Sequence, residues 1–208
     1  MYVFYHNMYK KLIIKHNKSE GENIMKKYVC GFILLFCSFL LIGCGEEMTP
    51  TQAVRDYMES YVTLDDGVVD QLNDYVDNNE ELNDEHKRIY KEILRTQYSS
   101  LTYDILSERV EDNIAYVDVE INVKDLYKVR KETNEYYKDK KEEFNDENGI
   151  YDVAKFITFQ LNKMKAATET VKYKLELKVV KTGDDWDVTQ LSTSDLEKIH
   201  GIYNYEEE

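Results

Sequence analysis

Reactive side chains are unevenly placed along this chain. All three cysteines, Cys30, Cys37 and Cys44, fall within the first 44 residues, so the sequence beyond them offers neither a catalytic thiol nor a disulfide. Cys44 stands apart because it follows Leu41-Ile42-Gly43 at the end of an apolar run. The two later histidines, His86 and His200, are more than a hundred residues apart, the first among charges at a helix start and the second near the C-terminus. Both read as solvated histidines rather than as an acid–base pair. No Gly-x-Ser-x-Gly elbow is present, and the glycines after Cys44 (Gly45, Gly67, Gly149, Gly183 and Gly201) are too scattered for a phosphate-cradling loop.

Carboxylates and tyrosines need a separate weighing. Asp65, Asp66, Asp70, Asp74 and Asp77 recur along one segment, Asp184, Asp185 and Asp187 flank Trp186, and Asn145 to Asn148 precede Gly149. An EF-hand would need an acid five residues before the glycine, where Val62 and Phe144 stand, so these read as solvated faces and turns. Neither a catalytic set, a metal site nor a cofactor is expected. Fourteen of the 18 tyrosines follow Cys44. Tyr75, Tyr90 and Tyr98 fall on expected inner faces, and so do Tyr57, Tyr61, Tyr103 and Tyr173, which with Trp186 are candidate pocket-lining residues. The plainer reading of the same rings is a hydrophobic core. Tyr136-Tyr137 and the pair Tyr203 and Tyr205 read as exposed, marking a partner surface.

The segment around Cys44 has the layout of an address. Met25-Lys26-Lys27-Tyr28 is a short positive start, Val29 to Ile42 is a 14-residue apolar run, and Gly43-Cys44 ends it. A run of 14 is short of the roughly 17 to 25 residues of a membrane span and suits a secretory signal. Leu41-Ile42-Gly43-Cys44 resembles the bacterial lipobox, which implies cleavage between Gly43 and Cys44, lipidation of Cys44, and residence at the outer face of the cell membrane. The expected division is a mis-assigned extension at 1–24, a signal peptide at 25–43, a lipidated cysteine and linker at 44–48, a folded domain at 49–203 and an acidic tail at 204–208. Glu20-Gly21-Glu22 supports the first boundary, since its codons are compatible with a ribosome-binding sequence ahead of a start at Met25.

Charge divides the same way. The whole chain carries a net −14, yet residues 45–208 hold 21 basic against 39 acidic side chains, a net −18. Nucleic acid is thereby an unfavourable partner. A chain of 165 residues after the signal suffices for one domain with a core of its own.

Periodicity outlines that domain. Thr49-Pro50-Thr51-Gln52 reads as a capping box with Pro at the first helical position, followed by Val54, Tyr57, Met58, Tyr61 and Val62 at helical spacing. Asp65-Asp66-Gly67 ends that helix and opens a second with Leu72, Tyr75 and Val76 inward; a third begins at Asp84. From Leu101 the period becomes two: Leu101, Tyr103 and Ile105, a turn at Glu111-Asp112-Asn113, then Ala115, Val117, Val119, Ile121 and Val123. A second hairpin runs from Val171 through Gly183 to Trp186 and Val188. Between the hairpins two helices are expected, split at Asn145 to Gly149, the second with Ile150, Val153, Ala154, Ile157, Leu161 and Met164 on one stripe. A last short helix from Ser194 turns Leu196 and Ile199 inward.

The lipobox, the short linker, Pro50-Thr51-Gln52-Ala53-Val54 opening a helix with Tyr57, Leu101-Thr102-Tyr103 leading to Ala115-Tyr116-Val117, and the Gly183-Asp184-Asp185-Trp186 hairpin together resemble the lipoproteins of low-GC Gram-positive bacteria (Firmicutes) with a cystatin-like, nuclear-transport-factor-two-like domain. The resemblance implies an α+β fold, N-terminal helices packed on a curved four-stranded antiparallel sheet with a helical pair inserted between two β-hairpins, forming a cone. The expected function is a non-catalytic, lipid-anchored extracytoplasmic binding module with a protein partner at the cell surface. The alternative is a small-ligand carrier or enzyme using a pocket inside the cone.

Overall fold

The computed structural model describes residues 48–206, so the expected extension, the signal and the Gly43–Cys44 site lie outside the described residues. Elements follow in the order α1 (Pro50–Thr63), α2 (Asp66–Asp77), α3 (Asp84–Ser99), β1 (Thr102–Glu111), β2 (Ile114–Lys124), α4 (Leu126–Asp139), a single 3-10 turn (Lys141–Phe144), α5 (Val153–Lys165), β3 (Thr170–Thr182), β4 (Asp185–Val188) and α6 (Thr193–His200). The fold is α+β, with six α-helices and one antiparallel sheet of order β1-β2-β3-β4 among the described residues.

Short polar side chains start every helix. Thr49, Asp65, Asn83, Asp125, Asp152 and Ser192 each accept a hydrogen bond from a backbone N–H in the first turn that follows. The capping box at α1 is only half formed: Thr49 accepts from Gln52 N at 3.1 Å, whereas Gln52 Nε2 donates to Asp56 at 2.7 Å instead of reaching back. A carboxylate from the sheet completes this helix end, Glu108 accepting from Thr51 N at 2.9 Å and Thr51 Oγ1 at 2.6 Å. Leu64, at φ 55°, closes α1 in the left-handed region.

Glu108 reaches that position through a β-bulge. Tyr103 and Ile105 lie opposite Ile121 and Val119 on the apolar face, but the register shifts between Ile105 and Ser107, after which Glu108 opposes Val117 and Val110 opposes Ala115. One extra residue thus moves the even-numbered positions to the inner face. Leu106, the inserted residue, is left exposed, and Ser107 turns outward to donate to Asp118.

β2 and β3 pair without interruption from Ile114↔Val180 to Lys124↔Thr170, although α4 and α5 stand between them in sequence. Asp125 N donates to Glu169 O at 2.9 Å, closing the base of this helical excursion. The buried side chains of β2 and β3 (Ala115, Val117, Val119, Ile121 and Val123 with Tyr173, Leu175, Leu177 and Val179) meet Val54, Met58 and Tyr61 of α1. Their polar alternates form the other face.

The remaining helices gather where the chain leaves β2. Gln97 of α3 donates to Lys124 O at 3.0 Å and accepts from Lys124 N at 3.1 Å, so its amide brackets the last residue of the strand. Gly201, at φ 72°, lies over this bracket; a Cβ there would collide with Lys124 O and Gln97 Nε2. Its own carbonyl accepts from Tyr127 N at 2.7 Å, tying α6 to the start of α4.

The stripe expected on α5 is partly redirected. Leu161 and Met164 are buried and Ile157 is half-buried, but Ile150 and Val153 are 65% and 53% exposed. Phe156 and Phe159 take the place of these two, facing the aromatic residues of α4.

Candidate functional site

Aromatic rings collect in two places, one inside the domain and one at its surface. The inner row begins with Tyr57 and Tyr61 of α1, whose hydroxyls are 3.4 Å apart. Tyr61 meets Tyr98 of α3 edge-on at 5.1 Å, and Tyr98 Oη lies 2.6 Å from Nε2 of His200 at the end of α6. The His200 ring is 4.5 Å from that of Tyr75 of α2, whose own ring lies 6.4 Å from that of Tyr90 of α3. Four helices are therefore joined through one row of rings. Burial raises the Tyr61, Tyr90 and Tyr98 hydroxyls far above ordinary phenols and keeps them protonated.

Both histidines depart from the solvated reading. His86 and His200 are 3% and 1% exposed. Burial pushes the His200 imidazole down to about 4, so it is neutral at pH 7. Thr158 donates its hydroxyl proton to Ala154 O at 2.8 Å and so accepts from His86 Nε2, 2.9 Å away, which places the His86 proton on Nε2. Nδ1 of each ring is buried without a hydrogen-bond partner among the described residues. Sequence missed His86 because its charged neighbours (Asp84, Glu85, Lys87 and Arg88) lie on other faces of the helix, and His200 because a place near the C-terminus reads as solvated. The signal that was there is the spacing: His86, Tyr90, Ile93, Leu94, Gln97 and Tyr98 form one buried stripe on α3.

Tyr75 is 39% exposed on the side away from His200, where it walls a cleft of about 280 Å³ between the helices. Leu161 and Met164 of α5 form apolar lining, Tyr90 sits beside Tyr75, and Arg130 of α4 and Glu81 of the α2–α3 loop supply opposite charges. Arg130 makes no ion pair among the described residues, although its neighbours Lys128 and Lys131 are tied to Glu169 and Glu206 at 2.6 Å each.

At the far end of α4 and α5 lies the second collection. Phe144 packs edge-on against Tyr136, Tyr137, Phe156 and Phe159, with Tyr151 5.1 Å from Tyr137. Phe144 is buried, whereas Tyr136 and Tyr151 are each 39% exposed, and Ile150 and Val153 on either side of Tyr151 in the chain are exposed too. Asp146 shapes the connecting loop by accepting from Asn148 N at 2.8 Å and Ile150 N at 2.9 Å, and these backbone donors, that of Ile150 foremost, hold its carboxyl below the usual range.

The candidate pocket residues divide between these surroundings and the sheet. Tyr61, Tyr173 and Trp186 are buried in the core, and Tyr57 and Tyr103 are half-buried against it, Tyr103 donating to Arg55 O at 3.3 Å. Tyr57 and Tyr61 share the inner row; Tyr173 packs with Tyr203 and Tyr205, and Trp186 lies under Lys181. Tyr203 and Tyr205 are half-buried rather than exposed. Tyr205 donates to Asp125 at 3.0 Å, and burial together with that carboxylate raises its hydroxyl to about 12.

Among the described residues no group of three or more His, Cys, Asp or Glu side chains is placed to hold a metal ion, and no helix is long and apolar enough to cross a membrane. No family model matches the chain, and no curated protein or solved structure shows significant similarity to it.

Proposed function

We propose that this protein is a non-catalytic, lipid-anchored interaction module at the outer face of a cell membrane, held by Cys44 and binding a protein partner through the aromatic end of α4 and α5. The observation that carries the reading is the exposed group Tyr136, Ile150, Tyr151 and Val153, supported from behind by buried Phe144. Apolar side chains backed by a packed aromatic base keep their shape and lose little entropy on binding.

The position of this group favours a protein over the lipid bilayer. The chain enters the domain at Thr49, beside Glu108 and so toward the β1–β2 turn, whereas α4 leaves from Lys124 at the opposite end of β2. A strand of 11 residues separates those ends by about 33 Å. Five residues from Cys44 to Thr49 span at most about 17 Å, so an anchored domain holds its entry end near the membrane, while α4 starts from the other end of β2. The cystatin-like cone belongs to the same proposal. Support for it comes from α1 lying across the apolar face of the sheet and from the two hairpins separated by a helical pair.

A photo-crosslinking residue placed at Tyr151 in intact cells tests the reading, with the same residue at Tyr116 on the polar sheet face as the control. A discrete protein adduct at 151 and none at 116 is the expected result. Equal labelling from both positions, or none from 151, removes it. For the anchor, Cys44→Ala is expected to release the protein from membranes, and retention after a salt wash contradicts the lipid link.

A further inference from the structure

We propose that the cleft between α2, α3, α4 and α5 is a binding site for a free apolar α-amino acid, with Arg130 taking the carboxylate, Glu81 the ammonium group, and Leu161 and Met164 the side chain. This site is separate from the aromatic end of α4 and α5 and does not depend on it.

Size, lining and charge each narrow the ligand. At about 280 Å³ the cleft falls at the small end of the range for ligand sites, which suits a molecule of amino-acid size and not a nucleotide or a sugar chain. Leu161 and Met164 are buried at 5% and 4% exposure and offer an aliphatic and a thioether surface, so the body of the ligand is apolar. Tyr75 and Tyr90 form the adjoining wall. Tyr75 packs against the His200 and Tyr90 rings, at 4.5 and 6.4 Å between centres, which fixes the wall before a ligand arrives.

Arg130 supplies the polar end. Its guanidinium has no carboxylate partner among the described residues, and a planar fork of donors matches a carboxylate in two-point contact. Glu81 lines the same cleft with the opposite sign. A plain carboxylate would approach a domain of net −18 against long-range repulsion and then meet Glu81. The zwitterion carries no net charge and uses both groups.

Equilibrium dialysis of the detergent-solubilised full chain against labelled L-leucine tests the assignment, with 4-methylpentanoate (no ammonium) and 3-methylbutylamine (no carboxylate) as competitors. Saturable binding of one leucine is expected, with each competitor weaker by about tenfold or more, the factor a lost charged contact produces. Arg130→Gln is expected to weaken leucine by about tenfold or more, and Glu81→Gln to shift preference toward 4-methylpentanoate. Both positions are on the rim, and Trp186 fluorescence reports that the variants remain folded. No saturable leucine binding at concentrations up to about 10 mM, equal affinity for leucine and 4-methylpentanoate, or an unchanged affinity in Arg130→Gln would each overturn the assignment.

Discussion

The two aromatic collections are built from similar residues and end in opposite states. In the inner row, rings from α1, α2, α3 and α6 close on one another, so Tyr61 and Tyr98 are each 2% exposed and His200 is neutral. At the outer end only α4, α5 and the loop between them contribute, and nothing covers the far side of Tyr136 and Tyr151 among the described residues. The number of elements that converge, rather than residue type, separates a core from a surface. A ring met from four helices stabilises the fold, while a ring met from two leaves area free for a partner.

Substitutions at matched positions should pull the two collections apart. Tyr98→Ala is expected to lose about 3–5 kcal/mol of stability, since it empties a buried aromatic site and removes the contact to His200; denaturant unfolding measures it. A loss no greater than that of Tyr151→Ala would erase the distinction.

The next effect is pH-dependent. His200 titrates near 4 in the folded chain against about 6.5 unfolded, so the unfolded state takes up the proton first as pH falls. Stability is complete above pH 6.5 and declines through this window by about 3 kcal/mol as pH approaches 4. His200→Gln should flatten that part of the curve even if its absolute stability is lower.

Gly201→Ala, at the junction beneath the inner row, is expected to lower stability by about 2–3 kcal/mol through a positive φ and the collision with Lys124 O. Glu108→Ala should lose about 1 kcal/mol, because it removes the two hydrogen bonds at the start of α1. Tyr151→Ala should change stability by no more than about 0.5 kcal/mol while weakening partner capture in the crosslinking assay.

Much of this architecture was legible from spacing. The helix starts at Thr49, Asp65 and Asp84, the two hairpins and the split near Gly149 follow from caps, turn residues and apolar periods, which are local properties of the chain. Three features were not. The bulge at Leu106 leaves no mark in an alternating pattern, because Leu106 and Val110 are apolar like the inward residues they interrupt. His86 looked solvated because its sequence neighbours are charged, although helical geometry turns them away, and His200 because it stands near the C-terminus, although α6 packs it against Tyr75 and Tyr98. Ile150 and Val153 fit the apolar stripe of α5 by count, yet the helix begins only at Val153, so Ile150 lies in the loop before it and Val153 stands exposed in its first turn.

Local chemistry alone determined which segments are helices and strands, where the first three helices begin, that the three cysteines belong to the N-terminal segment, and that the acidic excess lies in the domain. Those properties need only neighbours in the chain. Burial of the two histidines, the carboxylate of Glu108 that completes the start of α1, the Gln97 bracket on Lys124 and the placing of Arg130 and Glu81 along one cleft were decided by the tertiary structure. Each depends on residues brought together from distant parts of the chain, and no period or spacing within a single segment encodes such a meeting.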